Sequence, residues 1–173
     1  MIKLPQDQIR FYKGFIKNAE YQAMLATCKR AKCGVVIIKE HKIIGSGFNS
    51  PPGNLEAMRT CHLDKRSIDE KVTDKTCCIH AEQRAMDEAI SKYGKKEIRG
   101  SGIIFARVDD QGNTIHSGQP YCTICSKRAV DLGISYWVLN HQSGIYVYSS
   151  EEYHRISLAF KNEEKPQKNR ITS

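Results

Sequence analysis

The sequence predicts a three-layer α/β/α sandwich built on a mixed central sheet of about five strands. Three observations predict this fold. Strand-like and helix-like segments alternate along the chain, the pattern of α/β domains. The run Cys33-Gly34-Val35-Val36-Ile37-Ile38 is β-branched and apolar, as a buried strand requires. The chain has 173 residues, 40% of them hydrophobic, which is enough for one domain with its own core.

Residues 6–30 read as helix. Phe11, Phe15, Ile16, Ala19, Ala23, Met24 and Ala26 recur near a 3.6-residue period, and Pro5 suits the entry. Gly14 marks a point where this helix could divide in two. The buried strand 33–38 follows, then a polar turn from Lys39 to Lys42. Ile43 to Asn49 reads as its hairpin partner, ended by Ser50-Pro51-Pro52-Gly53-Asn54. Residues 55–79 form a polar, charged insertion without a clear pattern. Residues 80–93 read as helix, with Ala81, Ala85, Ala89 and Ile90 as its apolar stripe and Gly94 as its stop. Ser101–Val108 reads as a third strand, and Asp109–Asn113 as a turn. A helix over 122–132 ends near Gly133. Strands follow at Ile134–Leu139 and Ile145–Tyr148. A last helix over 150–160 carries Glu151 and Glu152 in its first turn, where they suit the helix dipole. The hairpin must be antiparallel, and strands joined through helices are expected to run parallel with right-handed crossovers. Residues 1–160 are thus one domain, and 161–173 a polar tail expected to be disordered.

The net charge of +8 is uneven. Residues 1–40 carry eight basic and three acidic side chains, whereas residues 41–160 carry fifteen and fourteen. A basic helix attracts phosphate. No RRM, KH or basic-zipper signature accompanies it, and a solvated helix face explains the same charges, so nucleic acid is not the favoured partner. No run approaches the ~18 apolar residues of a membrane span, and Met1–Pro5 holds no apolar core of a secretion signal. A cytoplasmic protein without membrane contact is expected. Seven cysteines, two of them adjacent, then favour metal ligation, catalysis or small-residue packing over disulfides.

Chemistry concentrates in Cys78-Ile79-His80-Ala81-Glu82 and Pro120-Tyr121-Cys122-Thr123-Ile124-Cys125. Cys122 and Cys125, at i and i+3 on a first helical turn, put two sulfurs on one side. The helix N-terminus favours their thiolate forms. Two thiolates are half of a tetrahedral zinc site, and His80 can supply a third ligand. An open fourth position would let zinc acidify a bound water. Glu82, two residues past His80, can face that position without binding and act as general acid–base. The competing reading is a closed structural site, with Cys77 or Cys78 as fourth ligand and no chemistry.

These residues resemble the zinc-dependent cytidine and deoxycytidylate deaminases, whose signature is His-Ala-Glu followed by a Pro-Cys-x-x-Cys-like segment. Gly45-Ser46-Gly47-Phe48-Asn49 resembles the family's Gly-x-Gly-x-Asn strand end. Residues 31–38 resemble its first strand, and Asp131-Leu132-Gly133-Ile134 the lead into its fourth. The resemblance spans roughly residues 20–140. It implies a cytidine deaminase-like fold and hydrolytic removal of an exocyclic amine. It implies that His80, Cys122 and Cys125 bind one catalytic Zn²⁺, that a zinc-bound hydroxide attacks the ring carbon, and that Glu82 shuttles the proton. The Ala81 backbone N–H would contact the base and Asn49 the sugar. Tyr121, where the family has proline before the first cysteine, alters the pocket wall.

The long spacing between Asn49 and His80 resembles the deoxycytidylate deaminases. The expected substrate is therefore a free cytosine nucleotide of the dCMP type. Arg59, Lys65 and Arg66 in the insertion are candidate phosphate contacts, and each is also explained as a solvated loop residue. Alternatives are a base in RNA (the tRNA adenosine type) or another free base such as guanine. A non-catalytic zinc module is the third class. Some deoxycytidylate deaminases hold a second, structural zinc in this region. Here Cys61, His62, Cys77 and Cys78 have no recognisable ligand spacing, so one zinc is favoured over two. Cys28 and Cys33 read as core residues, and His116, His141 and His154 as surface or loop residues. By resemblance, a homo-oligomer is expected.

Overall fold

The structure, a computed structural model, describes residues 1–160; the tail expected at 161–173 lies outside the described residues. The elements are β1 (Ile2–Lys3), α1 (Gln6–Met24), β2 (Lys32–Lys39), β3 (Lys42–Phe48), α2 (Ala81–Tyr93), α3 (Lys95–Ile98), β4 (Gly102–Val108), β5 (Thr114–Ile115), α4 (Thr123–Leu132), β6 (Tyr136–His141), β7 (Gly144–Ser149) and α5 (Ser150–Ala159). The sheet order is β1-β7-β6-β4-β2-β3, with β5 attached to β4. β2 pairs antiparallel with β3 and β4, while β4 and β6 run parallel, so the sheet is mixed. The five strands expected from the sequence are present, and two short ones, β1 and β5, extend them.

The apolar runs follow from burial on both faces. Along β2, Val35 and Ile37 pack with residues of α2, α4 and α5, while Val36 and Ile38 pack with Ala19 of α1. Successive strand residues point to opposite faces, so a sheet covered twice needs apolar residues at every position. Trp137 of β6 stacks on Tyr153 of α5 at a centroid distance of 4.0 Å, fixing the last helix to the sheet.

Glycine sets how closely the helices approach. A Cβ on Gly34 would stand 2.1 Å from the Ala19 carbonyl oxygen, so α1 lies directly on β2. A Cβ on Gly47 would stand 2.5 Å from the Ala81 oxygen, and one on Gly45 2.4 Å from the Ala85 oxygen. The backbone of α2 therefore rests on β3, and its alanine stripe, Ala81, Ala85 and Ala89, is fully buried.

The structure departs from the sequence reading in three places. First, α1 runs unbroken through Gly14, where an added Cβ would meet nothing within 4 Å. The glycine sits on an open side, and the packing of buried Ala19 and Ala23 outweighs its intrinsic cost of about 1 kcal/mol. Second, α1 stops at Met24 rather than reaching residue 30. Third, the 55–79 insertion is threaded by 3-10 turns at Glu56–Met58 and Lys65–Ser67. An antiparallel bridge between Ser50 and Ile79 ties its ends, with the Ile79 N–H donating to the Ser50 oxygen at 3.0 Å. The Lys39–Lys42 turn closes through Glu40 (φ 48°) and His41 (φ 65°), the left-handed pair of a type I′ hairpin.

A methyl group at Gly47 should therefore cost stability, and one at Gly14 should not. Gly47→Ala is expected to lower the unfolding free energy by about 1–3 kcal/mol through overpacking. Gly14→Ala should raise it by up to about 1 kcal/mol. Urea denaturation of the two variants measures both.

Candidate active site

Two helix N-termini converge at one end of the sheet. His80 is the residue before α2, with extended dihedrals (φ −73°, ψ 150°), and its N–H donates to Gln83 Oε1 at 2.9 Å. Cys122 occupies the same position before α4, and Cys125 lies in that helix's first turn. His80 Nδ1 stands 3.2 Å from Cys122 Sγ and 3.3 Å from Cys125 Sγ. Tetrahedral donors bonded to zinc at about 2.0–2.3 Å are separated by roughly 3.5 Å, so the set fits such an ion. The hydrogen-bonded Cys125 thiol brings Cys122 down to about 4 against the effect of burial, with His80 adding to it. His80 is in turn raised to about 9 by its bond to Cys122.

Glu82 completes the centre. It lies in the first turn of α2, 6% exposed. Burial pushes its carboxyl up to about 7, and the Cys122 charge adds to the rise. A buried carboxyl poised near neutrality, within a cleft, is suited to taking and returning a proton. The cavity in front of it has a volume of about 110 Å³ and is lined by His80, Ala81, Glu82, Cys122, Asn49, Tyr121 and others.

Each residue singled out in the sequence has a place. Asn49 lines the pocket, but its amide is also structural: Oδ1 accepts from the Cys33 N–H at 2.9 Å and Nδ2 donates to the Ala31 oxygen at 2.9 Å. Tyr121 is exposed at the mouth, its ring 5.6 Å from that of Phe160. Cys33 lines the pocket as well as the core. Arg59, Lys65 and Arg66 do not line the pocket; Arg59 pairs with Glu56 at 2.7 Å and Arg66 with Asp64 at 2.8 Å. His154 is not a free surface residue, because its Nδ1 meets Ser126 Oγ at 2.9 Å between α5 and α4. His141 likewise meets the Tyr148 hydroxyl at 2.7 Å. Sequence reasoning missed Phe105, Ser117, Gln119, Leu139 and Tyr153 as lining residues. Phe105 and Leu139 lie in the C-terminal halves of β4 and β6, counted from mid-strand on, toward the end where open α/β sheets bind ligands. Nothing in the sequence marks Tyr153.

The insertion gathers a second group. The sulfurs of Cys61, Cys77 and Cys78 lie within 4.8 Å of one another. Cys28 is a close neighbour of Cys78 beside this group and is only half-buried, so it is not the core side chain expected. His62 is exposed and outside the group. The Thr60 N–H donates to Cys77 Sγ at 3.1 Å. Against the push of burial, the bonds from Cys61 and Thr60 hold the Cys77 thiol down to about 7. Cys77 and Cys78 are thus engaged away from His80, where the closed-site reading needed one of them.

The fold and the clustered His80, Cys122 and Cys125 together describe an α/β domain with a candidate metal centre. The model of the cytidine and deoxycytidylate deaminase zinc-binding region matches residues 7–141, and the chain belongs to this family. It is 27% identical over 122 residues to the deoxycytidylate deaminase of Saccharomyces cerevisiae, covering 70% of this chain and 34% of that protein. It is 24% identical over 126 residues to the deoxycytidylate deaminase of Mycobacterium phage D29, covering 69% and 86%. The chain spans about a third of the length of the yeast relatives it matches. Its fold is similar to the crystal structure of dCMP deaminase from the cyanophage S-TIM5 in complex with dCMP and dUMP. That likeness has a TM-score of 0.52 and 23% identity, covering 78% of this chain and 82% of the other. Among the described residues, no helix is long and apolar enough to cross a membrane.

The two hydrogen bonds of Asn49, to Cys33 of β2 and to Ala31 just before it, predict a stability role separate from any ligand role. Asn49→Ala should lower the unfolding free energy by about 1–3 kcal/mol, since two side chain–backbone bonds are lost in a mostly buried place. Denaturation without substrate reads this loss directly.

Proposed function

We propose that the protein removes the exocyclic amine of a free cytosine nucleotide, converting a dCMP-type substrate to its uracil product. The observation that carries this reading is Glu82, buried in the first turn of α2 and facing the same cavity as His80 and Cys122. A structural metal site has no use for a buried, ion-unpaired carboxyl there, since burying one costs several kcal/mol or forces its protonation.

His80, Cys122 and Cys125 would hold one zinc ion. Zinc held there supplies an acidified water near neutral pH. Glu82 takes one proton of the attacking water and gives it to the ring nitrogen; it then takes the second from the hydroxyl formed on the ring carbon and gives it to the amine, which leaves as ammonia as the carbonyl forms. Its raised carboxyl suits both directions of transfer near neutrality. The Ala81 N–H, at the first helical position and unsatisfied within the helix, is available to the base. Asn49, with lone-pair capacity left on Oδ1, is available to the sugar. The cavity walls exclude water from the other faces of a pyrimidine.

The relatives named deoxycytidylate deaminase support the substrate class, as does the likeness to a fold solved with dCMP and dUMP. The reading keeps residues 1–160 as one domain, acting as a homo-oligomer in the cytoplasm. It also includes a second zinc, structural in role, on Cys61, Cys77 and Cys78, with Cys28 nearby as the candidate fourth donor. Three sulfurs converging without disulfides are most of the donor set of a closed tetrahedral site.

Two experiments test this. Zinc-loaded protein should release ammonia from dCMP, and a chelator should abolish release until zinc is returned. Glu82→Gln should lower kcat by about 10²–10⁴-fold with zinc content unchanged. Metal analysis should give two zinc ions per chain, falling to one in Cys61→Ser/Cys77→Ser. Silence on dCMP with turnover of an RNA base or guanine would replace the substrate, and one zinc in the unsubstituted protein would remove the second site.

A further inference from the structure

We propose that Arg107 binds the phosphate of the nucleotide substrate at the outer rim of the pocket; this rests on the deaminase reading above.

The strand register places it there. Phe105 of β4 lines the pocket, and Arg107, just beyond the lining residues, lies two residues further along the same strand, on the same face. Its direct partner across the antiparallel pair is Cys33 of β2, another lining residue. Side chains directly opposite share a face, so the guanidinium rises beside the Cys33 thiol. On the other side its partner is Ile115 of β5, which offers it no hydrogen bond. The Arg107 charge acts on both the Cys33 thiol and the Tyr121 phenol, two groups of the pocket wall.

The cations around the site are otherwise occupied. Arg30 donates to the Cys61 oxygen at 3.4 Å, and Lys32 pairs with Asp110 at 3.2 Å. Arg84 donates to Ser50 Oγ at 2.7 Å and to the Pro51 oxygen at 3.0 Å. Arg59 pairs with Glu56, and Arg128 with Asp87. Arg107 is half-buried and has no hydrogen-bond or ion-pair partner among the described residues. A half-buried guanidinium keeps its donors aimed and its charge poorly screened. Its planar fork matches two phosphate oxygens at once.

The same inventory decides which phosphate. A polynucleotide is held by a track of free cations with aromatic platforms between them. Of the cations named above, Arg107 alone has no hydrogen-bond or ion-pair partner among the described residues, which suits the single phosphate of a mononucleotide.

The test compares dCMP with deoxycytidine in the unsubstituted protein, Arg107→Gln and Arg107→Lys, with zinc content and melting temperature as controls for folding. The preference for dCMP, as the ratio of the two kcat/KM values, should fall about tenfold or more in Arg107→Gln, mostly through KM. Arg107→Lys should restore part of it, keeping the charge without the fork. An unchanged ratio overturns the assignment. Calorimetric binding of dUMP against deoxyuridine reads the same contact without turnover. Loss of the dUMP advantage in Arg107→Gln supports the inference even if the enzyme acts on neither test substrate, an outcome that would sink only the dCMP reading. Equal dUMP and deoxyuridine affinities in the unsubstituted protein overturn it. So does a single-stranded cytosine oligonucleotide that displaces dUMP with the higher affinity.

Discussion

The contact between the backbones of α2 and β3 governs the rest of the structure. Gly45 and Gly47 leave no side chain between them, and the helix answers with alanine at Ala81, Ala85 and Ala89. Larger residues on either surface would lift the helix away, and its first turn would move with it. That turn carries His80 at its cap and Glu82 within it, beside Asn49 at the exit of β3. The alanines contribute little individually to stability. Their effect is positional, because a close-packed interface fixes a helix end more tightly than a loop could. The Gly-x-Gly-x-Asn segment therefore has a mechanical meaning in this chain: two residues admit the helix and the third braces the neighbouring strand.

The electrostatics of the centre point the same way. Two thiols, one carboxyl and one imidazole meet in a mostly buried place. The partial positive charges of two helix N-termini favour the anionic forms there. Burial opposes them, and it raises the Glu82 carboxyl, with the Cys122 charge adding to the rise. A folded domain that sought only stability would fill this place with apolar side chains. The arrangement makes sense when a divalent cation neutralises the thiolates and frees the imidazole to ligate.

Much of this was legible in the sequence, because the site's chemistry depends on short-range spacing. His80 to Glu82 and Cys122 to Cys125 each lie within one helical turn, and the turn's geometry follows from helix periodicity alone. The five long strands were legible for a similar reason, since a sheet buried twice leaves unbroken apolar runs such as Val35–Ile38. What escaped depended on distance in the chain. β1 and β5 are two residues each and exist only because β7 and β4 offer an edge. Cys28 and Cys78 are fifty positions apart, and no ligand spacing within the insertion could reveal their meeting. Asn49 reads as a ligand residue by motif, while its bonds to Cys33 and Ala31 appear only when β2 lies beside it. Gly14 signals a break that tertiary packing on the opposite face of α1 overrides.

The insertion shows how an irregular segment can still support the end of the sheet that carries the candidate site. It leaves the sheet at Ser50, one residue after Asn49, and returns at Ile79, one residue before His80. The bridge between those two residues closes it like the neck of a loop. Within it, regular hydrogen bonding is sparse, and its order comes from local pairs, such as Arg59 with Glu56, and from the gathered thiols. Cys78 lies two residues from His80. Whatever fixes the sulfur of Cys78 against Cys28 therefore also restricts the backbone that presents the imidazole. The chain has thus joined its least regular segment to its most exacting position through a span of two residues. The thiol cluster bears on the geometry of the centre without contributing a ligand to it.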